Sequence, residues 1–84
     1  MLTGCGKPEA VRKPSSHLRK VLANNVRAYR KKHGLSQEAL ADVCELHRTY
    51  VGSIERGERN VTLSTLEVLA KSLSTTVPEL LTGR

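Results

Sequence analysis

Apolar residues recur at the spacing of an amphipathic α-helix along most of this 84-residue chain. The first stripe predicts a helix that begins after Ser16, a good N-cap residue, and ends at about Lys32. Gly34 follows in the position where a glycine commonly closes a helix. The stripe consists of Leu18, Val21, Leu22, Val26 and Tyr29.

Two short helices joined by a tight turn are predicted between Gln37 and Arg56. The first of them runs from Gln37 to about Val43 with Ser36 as its N-cap, and the second spans about His47 to Arg56. The inward-facing residues are Leu40, Ala41, Cys44, Leu46, Val51 and Ile54. The residues predicted to point away from the core are Arg48, Thr49, Gly52 and Ser53.

Two further helices are predicted near the C-terminus. Thr62 is placed to cap a leucine-rich helix over 63–73. The segment Thr76-Val77-Pro78-Glu79 has the pattern of a capping box with proline in the first turn, and it opens a last helix that reaches Gly83. The whole pattern predicts an all-α fold of five helices around one small core, with a helix-turn-helix at the second and third helices.

The chain carries 14 lysines and arginines against 8 acidic residues, which gives a formal net charge of +6. A compact basic domain indicates a polyanionic partner, most often a nucleic acid. The chain has no Phe or Trp and only two Tyr. This argues against single-strand binding, which needs aromatic platforms for base stacking, and against an RNA-recognition sheet. Double-stranded DNA is the expected partner.

Nothing in the sequence indicates catalysis, a metal, a cofactor or a membrane anchor. His17, His33 and His47 fall on separate elements without a matching set of carboxylates, so we do not expect an enzyme. Cys44 and His47 have the spacing of a metal pair, but a structural zinc site needs four ligands. Cys5 and Cys44 make no disulfide framework, and no apolar run reaches membrane-spanning length, so we expect a cytoplasmic protein.

Four linked segments resemble the helix-turn-helix regulators of the phage repressor, Cro and Xre type. They are HGLSQEALA, RTYVGSIERGERN, TLSTLEVLAKSL and VPELL, and the resemblance covers Leu22 to Leu81. The stretch LHRTYVGSIERGERNVT is similar in particular to the controller proteins of restriction–modification systems. The resemblance implies a lambda-repressor-like DNA-binding domain. It also implies an ion pair between Arg30 and Glu55 that locks the first helix against the third.

The turn of the helix-turn-helix departs from the family pattern at two positions. The position of Glu45 usually carries Gly or Asn because the backbone there tends to be left-handed, so a Glu is expected to cost about 1 kcal/mol of strain. The position of His47 usually carries Ser, Thr or Asp as the N-cap of the third helix, and His is a poorer cap.

The third helix is expected to enter a DNA major groove with its N-terminal end forward. Arg48 can donate two hydrogen bonds to guanine, and Thr49 can contact a thymine methyl group or a phosphate. Ser53 lies one turn along from Thr49, and these three residues are the expected base readers. The residues expected to contact the DNA backbone are Ser36, Gln37, Tyr50, Arg56, Arg59 and Asn60.

A single module of this kind contacts too few bases for useful specificity, so we expect a homodimer on a palindromic operator. Val77, Leu80 and Leu81 are the expected dimer contacts, because the last helix has more apolar residues than a short terminal helix can bury alone. Two functions stay open: a transcriptional regulator, or an antitoxin that represses its operon and neutralises a partner toxin.

Residues 1–16 form a basic segment without a helical pattern, ahead of the helix-turn-helix domain expected over residues 17–84. We expect a mobile arm that carries Lys7, Arg12 and Lys13. It is either a basic arm that reaches a DNA groove or a tail without function.

Overall fold

A computed structural model of the chain describes residues 15–83. These residues form five helices and no strand, so the all-α prediction is confirmed for this part of the chain. The helices are α1 (Ser16–Lys32), α2 (Gln37–Cys44), α3 (Arg48–Glu55), α4 (Leu63–Ser72) and α5 (Val77–Leu80). Of these helices, none is long and apolar enough to cross a membrane. The predicted N-terminal arm, apart from its last two residues, lies outside the described residues.

Side-chain caps define where the helices begin. Ser36 Oγ accepts a hydrogen bond from Ala39 N at 3.0 Å, as predicted for the start of α2. Thr62 and Thr76 cap α4 and α5 in the same way. A cap of this kind satisfies one of the backbone N–H groups that a helix leaves without an internal partner.

Two predicted boundaries are wrong. The N-cap of α1 is Ser15, whose Oγ accepts from Leu18 N at 3.1 Å, and Ser16 is already helical. The last helix ends at Leu80 and does not continue to Gly83. The carbonyl group of Leu80, its last residue, receives a hydrogen bond from Asn25 of α1 instead of from a further turn of helix.

One apolar core lies where the five helices meet. Burying each of its large side chains contributes about 1.5–3 kcal/mol, so these residues hold the helices together. The largest fully buried ones are Leu40, Ile54, Leu69, Leu73, Leu80, Val26 and Val51. Leu80 is 0% exposed, so the expectation that it contacts a second subunit is wrong: its side chain belongs to the core of its own domain. Val77 and Leu81 are half-buried against that core.

A buried asparagine attaches the short α5 to α1. Asn25 lies on the apolar side of α1 and is 7% exposed. Its Nδ2 donates to the carbonyl groups of Leu80 at 2.8 Å and Thr82 at 2.9 Å, and approaches that of Glu79 at 3.4 Å. A four-residue helix has almost no internal hydrogen bonds, so this amide supplies partners that the helix itself lacks.

Replacement of Asn25 by Ala is expected to destabilise the fold by about 1–3 kcal/mol, because it leaves the buried carbonyl oxygen of Leu80 without a donor. Urea unfolding monitored by circular dichroism measures the loss. Asn24→Ala is the matched control, because Asn24 is the exposed neighbour on the same helix and should change stability by less than about 0.5 kcal/mol. Equal losses for the two variants would contradict a specific role for Asn25.

Candidate nucleic-acid interface

The turn between α2 and α3 contains Glu45 in the left-handed backbone conformation, with φ 57° and ψ 40°. Leu46 N donates to Ala41 O at 2.8 Å and Glu45 N donates to Asp42 O at 3.2 Å, which satisfies carbonyl groups at the end of α2. The left-handed backbone expected at this position is therefore present, although Glu is an unfavourable residue for it.

An imidazole caps the N-terminus of α3. His47 has extended backbone and its Nδ1 accepts from Thr49 N at 3.1 Å. The ring nitrogen thus takes the place of the hydroxyl or carboxylate oxygen that usually caps this helix. Cys44, the other member of the possible metal pair, is buried and its Sγ lies 3.3 Å from Ser72 Oγ.

A buried carboxylate joins α1, α2 and α3. Glu55, the last residue of α3, is 2% exposed. Arg30 donates to it through two nitrogens, at 2.6 Å to Oε2 and 3.0 Å to Oε1. Gln37, the first residue of α2, donates to Oε1 at 3.0 Å. The ion pair that the resemblance implies is thus present, and Gln37 makes it a contact among three helices.

The remaining hydrogen-bonding groups around this carboxylate are also satisfied. Arg30 Nη1 donates to Leu35 O at 2.9 Å, in the segment that leads into α2. Arg27, one turn before Arg30, donates to the backbone carbonyl of Glu55 through Nη2. A buried charge is tolerated only when it is paired and its surroundings supply hydrogen bonds, and both conditions hold here.

A shallow groove between α2 and α3 contains most of the predicted contact residues. Its lining includes Ser36, Gln37, Glu38, Arg48, Thr49, Gly52 and Arg56. The side chain of Arg48 is 68% exposed and lies 3.8 Å from Glu38 Oε2. An exposed pair of that kind contributes about 0–1 kcal/mol, so Arg48 can leave it for another partner. Thr49 is exposed beside it.

Gly52 gives Gln37 and Arg56 room to lie over α3. A Cβ atom at this position would stand 3.3 Å from Arg56 Nη1 and 3.5 Å from Gln37 Oε1. A side chain at this position would therefore crowd the guanidinium of Arg56 by a few tenths of an ångström and would touch Gln37 at ordinary contact distance. Arg56 extends from here into solvent, where its Nε lies 3.1 Å from Glu58 Oε1.

Ser53 does not point away from the core, so that prediction is wrong. It is 6% exposed. Its hydroxyl donates to Tyr50 O at 2.7 Å and accepts from Arg59 Nε at 3.1 Å. The loop after α3 returns over this side of the helix and covers Ser53, which a helical projection of α3 alone does not reveal.

The loop after α3 carries the remaining predicted contacts. Arg59 is exposed, and its guanidinium lies over the half-buried ring of Tyr50, 4.9 Å from the ring centre. Asn60 is also exposed, and its Oδ1 accepts from Arg19 Nη1 at 3.3 Å. Arg19 Nε donates to Gly57 O at 3.1 Å, so α1 contacts this loop as well.

Sequence reasoning missed the roles of Arg19, Arg27 and Asn25. Asn25 had a signal, because it is a polar residue set in the apolar stripe of α1. Arg27 had a weaker one, because it lies three residues before Arg30 and so shares its face. Arg19 had none, since its partners lie 38 and 41 residues away in the chain.

The family model described as helix-turn-helix (HTH_3) matches residues 26–80. The chain belongs to this helix-turn-helix family. It is 63% identical to the control protein C.SmaI of Serratia marcescens over 65 residues, which are 77% of each chain. It is 43% identical to the control protein C.BamHI of Bacillus amyloliquefaciens over 68 residues, which cover 80% of this chain and 84% of the relative.

A solved structure agrees with these sequence matches. The restriction-modification controller protein C.AhdI from Aeromonas hydrophila superposes with a TM-score of 0.71 at 42% identity, covering 74% of this chain and 94% of that one. The predicted similarity to controller proteins is therefore confirmed. The chain is a DNA-binding regulator of transcription of the helix-turn-helix type.

Replacement of Glu55 by Ala is expected to destabilise the domain by about 3–5 kcal/mol, because Arg30, whose side chain is only 13% exposed, would then lack its counter-ion. Urea unfolding measures the loss. Glu67→Ala is a suitable control, since Glu67 is exposed on α4 and its removal should cost less than about 0.5 kcal/mol. If the free energy of unfolding of Glu55→Ala lay within 1 kcal/mol of that of the unmodified chain, the carboxylate would not hold the three helices together.

Proposed function

We propose that the chain binds a palindromic DNA operator as a homodimer and places α3 in the major groove. The observation that carries this proposal is the exposed N-terminal end of α3, where Arg48 and Thr49 stand beside each other on a helix fixed by Glu55. Arg48 would donate to guanine O6 and N7, and Thr49 would contact the neighbouring base or phosphate.

Backbone contacts would set the position of α3 along the DNA. The first N–H groups of α2 and the hydroxyl of Ser36 lie on the same groove as Arg48, and a helix N-terminus attracts phosphate. Gln37 and Arg56 share that groove, while Tyr50, Arg59 and Asn60 would contact the strand on the side of the loop. We do not propose Ser53 as a base reader, because its hydroxyl is buried and has two partners within the domain.

An apolar groove between α1, α4 and the end of α5 is the proposed dimer surface. Six of its eight lining residues are apolar: Leu18, Leu22, Val61, Leu63, Leu66 and Leu81. Leu63 projects from α4 and is 76% exposed. A second copy of the chain is the proposed occupant, because specific recognition of an operator needs two half-sites about 34 Å apart. Leu81 lines this groove and stays in the proposal. Val77 does not line it and stays a separate expectation, and Leu80 is withdrawn.

The regulated genes are proposed from the relatives. C.SmaI and C.BamHI are named control proteins, and C.AhdI is named a restriction-modification controller. We infer that this chain likewise controls the expression of restriction–modification genes and binds the DNA immediately upstream of its own coding sequence. Footprinting on that DNA tests the inference directly. No observation favours the antitoxin alternative.

Replacement of Arg48 by Ala is expected to weaken binding to the upstream DNA by about 1–3 kcal/mol, which is roughly 5- to 150-fold, and to leave the helical content unchanged. Fluorescence anisotropy on cognate and scrambled duplexes measures the affinity, and circular dichroism measures the helical content. Lys71→Ala removes the same charge from α4 and should change the affinity for both duplexes slightly and equally. Unchanged cognate affinity in Arg48→Ala would refute its role as a base reader.

Replacement of Leu63 by Glu is expected to convert the dimer to monomers, because it places a charge in the apolar groove without removing any buried core atom. Analytical ultracentrifugation reports the mass, and operator affinity should fall with it. Val43→Glu makes the same change at an exposed apolar residue of α2 and should leave the mass unchanged. A monomer from Val43→Glu and a dimer from Leu63→Glu would place the interface on α2 instead.

A further inference from the structure

The loop between α3 and α4 is held from two sides by residues that have no assigned contact with DNA. Ser53 holds Arg59 from the side of α3, and Arg19 holds Gly57 and Asn60 from the side of α1. The loop itself bears two of the proposed phosphate-binding side chains. The conformation of this loop in the free protein therefore affects the affinity for DNA.

Two contacts fix the orientation of Arg59, and a third fixes its partner Ser53. Its Nε donates to Ser53 Oγ at 3.1 Å. Ser53 Oγ donates its only hydrogen to Tyr50 O at 2.7 Å, so its lone pairs are left to accept from Arg59. The guanidinium plane lies 4.9 Å from the centre of the Tyr50 ring, a cation–π distance.

These contacts leave one end of the guanidinium available. Within residues 15–83, the two terminal nitrogens of Arg59 have no hydrogen-bond partner, and the side chain is exposed. Their four N–H groups form the planar fork that binds two phosphate oxygens at once. Ser53 thus occupies the inner donor of Arg59 and directs the outer donors toward solvent.

Arg19 orients Asn60 in a corresponding way. A guanidinium has only donors, so the atom of Asn60 that faces Arg19 must be the carbonyl oxygen, 3.3 Å from Nη1. The amide nitrogen of Asn60 is then directed away from Arg19 and can donate to an anion. The second nitrogen of Arg19 fixes the backbone of the same loop at Gly57 O, 3.1 Å away.

We propose that Ser53 and Arg19 are positioning residues that pre-organise the DNA-contacting loop, so that Arg59 and Asn60 present only donors to a phosphate. The proposal rests on the proposed binding of duplex DNA. Immobilising a flexible side chain during association costs affinity, and a side chain that is already held avoids about 2- to 10-fold of that loss. Ser53 acts through Arg59 and does not itself touch DNA.

A double-mutant cycle tests the role of Ser53. Ser53→Ala should weaken binding to the upstream duplex by about 3- to 10-fold, and Arg59→Ala should weaken it further. In the Arg59→Ala background, Ser53→Ala should change the affinity less than about 2-fold, because the residue it positions is gone. Ser64→Ala, an exposed serine of α4, is the matched control and should have no effect in either background.

Salt dependence separates positioning from direct contact. Arg59→Ala should lower the slope of log affinity against log salt by about 1, because one phosphate contact is lost. Ser53→Ala should keep the slope, because the charge of Arg59 remains. Equal losses from Ser53→Ala in both backgrounds would show that Ser53 acts through the fold as a whole and would overturn the proposal, as would no loss in either.

Arg19→Lys provides an independent test that keeps the charge. A lysine has a single ammonium group and no planar fork, so it cannot hold Gly57 O and Asn60 Oδ1 as Arg19 does. A positioning role therefore predicts that Arg19→Lys loses about as much DNA affinity as Arg19→Ala. Retention of full affinity by Arg19→Lys would show that only the charge matters and would overturn this half of the proposal. If the unmodified chain failed to bind the duplex at all, the proposed function would fail first, and that outcome is distinct from these.

Discussion

The buried carboxylate of Glu55 imposes the constraint on which the arrangement of α1, α2 and α3 depends. A charge removed from water needs a well-oriented counter-ion and a full set of hydrogen bonds, and few arrangements of the three helices supply both. Arg30 and Gln37 meet the carboxylate only when α1 and the start of α2 lie against the end of α3. The cluster therefore selects one geometry, whatever its net contribution to stability. That geometry leaves the other end of α3 exposed.

The basic residues of the domain divide into two groups with different tasks. Arg30 and Arg27 are used by the scaffold, since their donors are directed to Glu55 and to backbone carbonyl groups. Arg48, Arg56 and Arg59 project into solvent on or beside α3. The net charge indicates a polyanionic partner, but it does not indicate which cations face that partner. Only the contacts of each side chain make the distinction, and much of the charge on α1 belongs to the fold.

Local chemistry made the helices and most of their caps predictable. Ser36, Thr62 and Thr76 cap helices as predicted because a cap bond reaches only three residues along the chain. Ser53 and Leu80 were misplaced because their burial depends on segments distant in sequence or on packing across the domain. The projection of α3 puts Ser53 beside Thr49, yet the loop that carries Arg59 folds back over it. The pairing of Arg30 with Glu55 was accessible only through the family resemblance.

The rigid and the adaptable parts of the proposed interface are distributed in a way that suits sequence recognition. Arg59 and Gln37 are each held by contacts within the domain, so they enter a complex with little further loss of freedom. Arg48 has one weak surface pair, and the hydroxyl of Thr49 has no partner among the described residues. Side chains of the first kind fix register on a uniform phosphate backbone, and side chains of the second kind can adjust to base edges. Affinity would then depend mainly on the loop between α3 and α4 and on the groove between α2 and α3. Discrimination between sequences would depend on Arg48 and Thr49, the two loosely held residues at the N-terminal end of α3.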